Sequence, residues 1–386
     1  MVKIEKIIPG GQALGTLENG KKIFFWNALP GEIITDYQVT KKKSHFEEAI
    51  ATKIDRPSPF RVEPLDDCYL STSPWQILDY AEELKLKQAL VVEIFREHSI
   101  DIKTPEIFTD NNDYHYRNKM EYSLYWDLAT SKIELAFRAR GSHRKIPITK
   151  SSIERLEIFT AAKNIVDDLN LRHEEARRYQ SLLLRCNQKG EISGGLYENH
   201  QPHPVFPNLT DTILGHEYSY SPNGFFQINL PVYEMALTEI KKHIVTDQVL
   251  DLYAGVGTIG LSVARDCHLT LVECDKSAYA ELERNIAKEN NILTKLAKSE
   301  EVTDYITPNQ TVILDPPRAG CDHKLIDKLN EIKPEKIIYL SCNPATQARD
   351  IRFLLEKYHI EDIKTFYFFP HTPHIENLVI LSRNML

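Results

Sequence analysis

Two hydrophobic periods organise the chain. Up to about residue 61, apolar and polar positions alternate in short runs separated by turn residues: VKIEKI, a break at Pro9–Gly11, ENGKKIFFW after a turn at Asn19-Gly20, then ALPGEIITDYQVTKKK. Closely spaced short strands of this kind predict a small β-barrel over residues 1–61. RPSPFRVEP, residues 56–64, reads as a linker. The period then lengthens, and ILDYAEELKLKQALVVEIFREH predicts a helix over 75–98. Strand-like alternation returns over 116–127 and 132–149 and is followed by a helix over 151–171. Strand-like runs around SLLLRCN and ISGGLYEN then lead to the proline-rich HPVFPN. Residues 62–215 therefore read as a mixed α+β region, whose helix 75–98 is a candidate to pack on the C-terminal domain.

Residues 216–386 follow a third rhythm. SPNGFFQIN precedes a helix beginning near Pro231, and from there strands and helices alternate. VLDLY, LTLVECD, TVILDPP and KIIYLSCNP are separated by helices over 277–290 and 324–329, and a helix over 345–357 leads to a terminal pair, IKTFYFFP and ENLVILSRN. Such repetition predicts an α/β domain with a doubly wound, mostly parallel sheet and a ligand site at the strand C-termini.

The residues at those termini carry the chemistry. DLYAGVGTIG places Gly255, Gly257 and Gly260 in G-x-G-x-x-G spacing with Thr258 opening a helix, and Glu273 follows a second apolar run as a candidate ligand for ribose hydroxyls. A plain tight turn is the bland alternative. Asp251, ahead of the loop, would repel a pyrophosphate and welcome a cationic amine, which favours S-adenosylmethionine (SAM) over a nicotinamide cofactor. Asp315 stands on the rigid turn DPPR. Cys342, in SCNP ahead of a helix, is a candidate nucleophile with a pKa lowered by the helix N-terminus. Glu376, in PHTPHIEN beside His371 and His374, is a candidate general base.

With 42% hydrophobic and 26% charged residues, the 386-residue chain has the composition of an ordinary soluble globular protein with room for two or three domains. No apolar run reaches membrane-spanning length and MVKIEKIIPGG lacks a signal-peptide core, so a cytoplasmic protein without a membrane partner is expected. The six cysteines form no C-x-x-C pair. A net charge of -8 leaves room for local basic faces. Two such stretches are Lys41–Lys43 with His45 and Phe46, and the strand bearing Arg138, Arg140, His143, Arg144 and Lys145, the latter a candidate phosphate contact.

FFQIN, DLYAGVGTIG, LVECD, ILDPPRAG, LSCNP and HTPHIENL, in this order, resemble the SAM-dependent RNA (uracil-5-)methyltransferases. The resemblance covers nearly the whole chain. It implies a Rossmann-like class I methyltransferase domain over 216–386, a TRAM barrel of OB type for RNA binding over 1–61, and a central RNA-binding region over 62–215. It further implies that Gln227 and Tyr253 contact SAM, that Glu273 binds its ribose, that Asp315 lies near the adenine or the target uracil, that Cys342 is the nucleophile and that Glu376 is the base. Gly255, Gly257 and Thr258 complete the expected cofactor set. Phe226, Arg318, Arg138, Arg140 and Lys145 form the expected RNA set. The implied partner is RNA, 23S rRNA ahead of tRNA, and the implied state is a monomer. Many barrel-bearing members hold a four-cysteine iron–sulfur cluster. Here only Cys68 stands in that region and Ser151 or Ser152 occupies the later position, so no cluster and no other metal is expected. A nicotinamide oxidoreductase and a non-catalytic RNA-binding protein are the alternatives.

Overall fold

The computed structural model describes residues 1–203, 206–286 and 290–384. Pro204 and Val205 of the proline-rich passage and residues 287–289 of the helix expected over 277–290 lie outside them. Strands β1 (Val2–Ile7), β2 (Ala13–Thr16), β3 (Lys22–Trp26), β4 (Ile33–Lys42) and β5 (Phe46–Arg56) close into a barrel in the order β1-β2-β3-β5-β4. Alternate residues, among them Ile4, Ile23, Phe25, Ile34 and Ala49, fill its interior, as the period of two requires.

After a short helix α1 (Tyr69–Thr72), α2 spans Tyr80–Glu97. It starts later than the apolar pattern suggests because the Asp79 side chain accepts the Ala81 and Glu82 N–H groups and caps it there. β6 (Glu106–Phe108) follows. The central region contains β7 (Lys119–Asp127), β8 (Lys132–Arg138), β9 (Lys145–Pro147), α3 (Leu156–Leu171), β10 (Ser181–Cys186), β11 (Ile192–Glu198) and β12 (Gln201–His203), and its sheet runs β12-β11-β10-β7-β8-β9. The single strand expected over 132–149 breaks into a hairpin, with Gly141 at φ +72° in the turn. A further hairpin, β13 (Leu209–Ile213) with β14 (His216–Tyr220), and helix α4 (Leu230–Lys242) lead into the C-terminal sheet.

That sheet is built from β15 (Gln248–Leu252), α5 (Thr258–Val263), β16 (His268–Glu273), α6 (Lys276–Ile286), β17 (Ile292–Leu296), β18 (Thr311–Leu314), α7 (His323–Ile332), β19 (Lys336–Ser341), α8 (Pro344–Leu354), β20 (Tyr358–Phe366) and β21 (Glu376–Arg383). Its order is β17-β16-β15-β18-β19-β21-β20-β6. β15 to β19 are parallel, and β21 is antiparallel to both of its neighbours. β18 and β19 are buried along their whole length, as strands covered on both faces must be. The chain winds outward from β15 to β17 and returns beside β15 as β18. The crevice at this switch point opens at the C-termini of β15 and β18. β6 pairs with β20 and α2 packs on α8, so part of the segment between the barrel and the central sheet belongs to this body.

Candidate active site

The glycine loop is held by its own backbone geometry. Tyr253 at φ +70°, Gly255 at +58° and Gly257 at +90° all lie in the left-handed region. A Cβ on Gly257 would sit 2.6 Å from Leu282, so this turn excludes larger residues. Asp251 does not face a ligand. It is fully buried, its Oδ2 accepts the Gly260 N–H at 2.8 Å, and burial first, then Asp315 and Glu273, pushes its pKa up to about 8. Glu273 stands half-buried at the end of β16, where its two oxygens accept the Gly255 N–H at 2.8 Å and the Asp275 N–H at 2.6 Å. These bonds aim the carboxylate while leaving lone pairs for hydroxyl donors. Thr258 opens α5. The Tyr253 hydroxyl is turned towards Ser299 and Cys321.

Four groups converge on the crevice beside this loop. Asp315 follows β18, Cys342 follows β19, Glu376 opens β21, and Arg318 extends from the DPPR turn. Cys342 interacts with all three of the others and shares a hydrogen bond with Arg318. Its thiol is pushed up to about 11, chiefly by burial and then by the Glu376 and Asp315 charges, with Arg318 pulling back. The lowering expected from the α8 N-terminus is therefore outweighed. Burial holds Asp315 up at about 7. Glu376 is raised well above the carboxylate range, by burial and then by Asp315, while Arg318 opposes the rise. Arg318 donates to His374 Nδ1 at 2.6 Å, and this ring is kept neutral because burial, then Arg318 and Lys87, lowers its pKa to about 4. His371 points away from the crevice, towards Glu83 and Asp113.

The loop 221–229 forms another wall. The central sheet takes its carbonyls: Lys119 Nζ binds Asn223 O and Gly224 O, Arg185 binds Gly224 O and Phe226 O, and Asn118 Nδ2 binds Gln227 O. Gln227 is buried at this wall. Phe226 is not available to a substrate. It is 2% exposed and stacked on Tyr220 at 3.8 Å, whereas the adjacent Phe225 is 72% exposed. A cleft of about 420 Å³ beside the loop is lined by His115, Asn118, Arg155, Ile228 and Asn229. A second cleft, of about 370 Å³, lies at the opposite ends of β15–β17, around Gln248, His268 and Ile292.

The basic residues divide. Arg138 is exposed. Arg140 is committed to the fold: its guanidinium lies 4.1 Å from the Trp26 ring of the barrel and its Nε donates to Leu70 O. Lys145 donates to Leu124 O at 2.7 Å. Both are half-buried and tied to the protein by these contacts, whereas Arg138 is exposed. The Cys68 region does not fit an iron–sulfur cluster. Ser152 Oγ and N–H bond to Asp66 at 2.7 and 3.0 Å, and Ser151 Oγ bonds to Glu154 at 2.5 Å. Cys68 is a lone thiol pushed up to about 12 by burial, then by Asp66 and Glu154. Among the described residues no group of three or more His, Cys, Asp or Glu side chains could hold a metal ion, and no helix is long and apolar enough to cross a membrane.

Residues 212–384 match the family model described as tRNA (Uracil-5-)-methyltransferase. This segment belongs to that family. The matched span takes in the glycine loop, the crevice acids and the Cys342 thiol. A Bacillus cereus protein named as an uncharacterized RNA methyltransferase is 27% identical, over 99% of this chain and 96% of its own. A Prochlorococcus marinus protein of the same name is 29% identical over 92% and 99%. The crystal structure of Pyrococcus abyssi tRNA (uracil-54, C5)-methyltransferase in complex with S-adenosyl-L-homocysteine shares the fold of this methyltransferase, with a TM-score of 0.78 and 23% identity over 99% of each chain. The loop fits such a cofactor in two respects: Glu273 is aimed by two backbone donors, and the turn at Gly257 has no room for a larger side chain.

Proposed function

We propose that this methyltransferase modifies C5 of a uridine in a structured RNA through a covalent adduct between Cys342 Sγ and uracil C6. The observation that carries the reading is the convergence of the Cys342 thiol, the Arg318 guanidinium and the Asp315 and Glu376 carboxyl groups on one crevice at the strand ends. Glu273, Gly255, Gly257, Thr258, Gln227 and Tyr253 would hold SAM, with Asp315 at the boundary between cofactor and base. SAM supplies the methyl group that ends on C5.

Uracil C5 is a poor nucleophile until a thiolate adds at C6 and makes it enolate-like. Arg318 is placed to lower the thiol's pKa as Cys342 attacks. Once C5 carries the new methyl group, Glu376 takes the C5 proton, the C6–S bond breaks and the thiolate returns. The high position of the Glu376 pKa suits a base that must hold the proton it receives. A uridine can reach a buried thiol only after leaving its stack, so a loop uridine is the natural target. Phe225, exposed on the loop 221–229, would brace the gap it leaves. The barrel and Arg138 would carry RNA contacts, with the protein acting as a monomer. The barrel leans towards 23S rRNA; the names of the matching family and of the Pyrococcus abyssi enzyme lean towards tRNA.

The test is methyl transfer from labelled SAM to unmodified 23S rRNA and tRNA transcripts, with the product nucleoside identified. Formation of 5-methyluridine, abolished in Cys342→Ala, is expected on one of them. Turnover by Cys342→Ala would overturn the covalent route.

A further inference from the structure

Residues 367–375, which deliver Glu376 to the crevice, form no regular element, yet side chains and backbone from 75–116 take their carbonyls. Lys87 Nζ donates to both Phe369 O and His374 O, each at 2.9 Å. The Tyr116 hydroxyl donates to Pro370 O at 3.1 Å, and the Trp75 N–H to His371 O at 3.0 Å. Glu83 Oε2 accepts the His371 N–H at 3.2 Å and lies 3.4 Å from the ring Nδ1, while Asp113 Oδ2 lies 3.1 Å from Nε2. Two carboxylates outweigh burial and raise the His371 pKa to about 9. The ring can therefore remain an imidazolium, at a backbone φ of +57°.

Lys87 is unusual for α2. It is 0% exposed, 3.3 Å from Glu83 Oε1 and 4.6 Å from the centre of the Tyr367 ring. Burying an ammonium ion costs several kcal/mol before its partners repay it. The helix already has an apolar face in Leu90, Val91, Ile94 and Phe95, and a methionine at 87 would serve packing as well. What the ammonium adds is geometry, because one group ties both ends of the segment, the second only two residues before Glu376.

We propose that Lys87, with Glu83 and His371, is a positioning unit that fixes Glu376 over C5 of the bound base. The proposal rests on the reading of Cys342 as nucleophile and Glu376 as base. Cys342 itself is set by β19 and the start of α8, where Asn343 accepts the Ala345 N–H and donates to Arg318 O; residues 75–116 take no part in those bonds. Loss of the unit should therefore slow removal of the C5 proton more than formation of the adduct.

The experiment compares Lys87→Met with Glu376→Gln on the unmodified RNA that the wild-type protein methylates. Turnover by Lys87→Met should fall about 10- to 100-fold, the cost of a misplaced base, with KM for SAM and RNA nearly unchanged. A denaturant-stable protein–RNA adduct should accumulate on ordinary uridine-containing RNA, as it should in Glu376→Gln. His371→Asn, whose new side chain tolerates the left-handed backbone, should accumulate the same adduct and covers the case in which Lys87→Met does not fold. If Glu376→Gln accumulates adduct while the folded brace variants turn over normally, or lose adduct and turnover together, the positioning role is wrong. If Glu376→Gln accumulates none, the assignment of the base falls instead.

Discussion

Asp315 and Glu376 share a buried crevice, and the charge of Asp315 opposes ionisation of Glu376. Both pKa values lie above those of ordinary carboxylates, so the form able to accept a proton grows as pH rises, and the Cys342 thiol near 11 adds to the same trend. Turnover should climb from about pH 6 to about pH 9. Asp315→Asn removes a charge that raises both groups, and the pH profile of its residual activity should move to lower pH. A profile that stays in place would separate Asp315 from the proton transfers. The paired phenylalanines offer a second test at this scale. Phe226→Ala removes a buried, stacked ring and should cost about 3–5 kcal/mol in denaturant unfolding. Phe225→Ala should leave stability unchanged and raise KM for RNA. Nothing in FFQIN tells which ring is buried; Tyr220 and Arg185, which cover Phe226, come from other elements. Arg140 and Lys145 show the same limit, since a basic residue reads as a phosphate contact until its protein partners are known.

Elements were legible where burial on both faces gives an uninterrupted apolar run. VLDL, TVIL and KIIYLS read as inner strands of a parallel sheet and are that. β17, with its edge pattern of half-buried and exposed residues, and the β13–β14 hairpin had no such signal. The strand ends carry acids and a thiol, and a parallel sheet puts its crevice there, which is why Asp251, Asp315 and Cys342 could be singled out from position alone. Asp251 is the exception, and its role is to anchor the glycine loop. Its folded pKa of about 8 lies above the ordinary carboxylate value, so its favourable contribution is present in acid and is lost as pH rises through about 8. Melting temperatures of Asp251→Asn across this range should fall less steeply with pH than those of wild type. Gly257→Ala, strained at φ +90° and in collision with Leu282, should cost about 1–3 kcal/mol and weaken SAM binding in calorimetry.

At the scale of the whole molecule, the crevice is assembled from distant parts of the chain. The central sheet holds loop 221–229, α2 holds residues 367–375, and the barrel meets both through side chains such as Trp26 and through Gly11, whose carbonyl accepts the Trp75 indole N–H at 3.1 Å. This assembly was the least visible in the sequence. Lys87 and Arg185 look like ordinary surface cations in their local patterns, and only tertiary packing buries them. Arg140→Ala should loosen the barrel, speeding proteolytic cleavage between residues 56 and 64 and raising KM for RNA while SAM binding stays unchanged.

Whether Cys342 bonds to the base is decided by incubating the protein with SAM and 5-fluorouridine-substituted rRNA or tRNA, then mapping the peptide of any adduct that survives denaturant. Fluorine at C5 cannot be removed as a proton, so a trapped complex joined through Cys342 and absent from Cys342→Ala is expected. SAM-dependent methylation of ordinary RNA with no adduct on the fluorinated RNA, or an adduct at another residue, would contradict it.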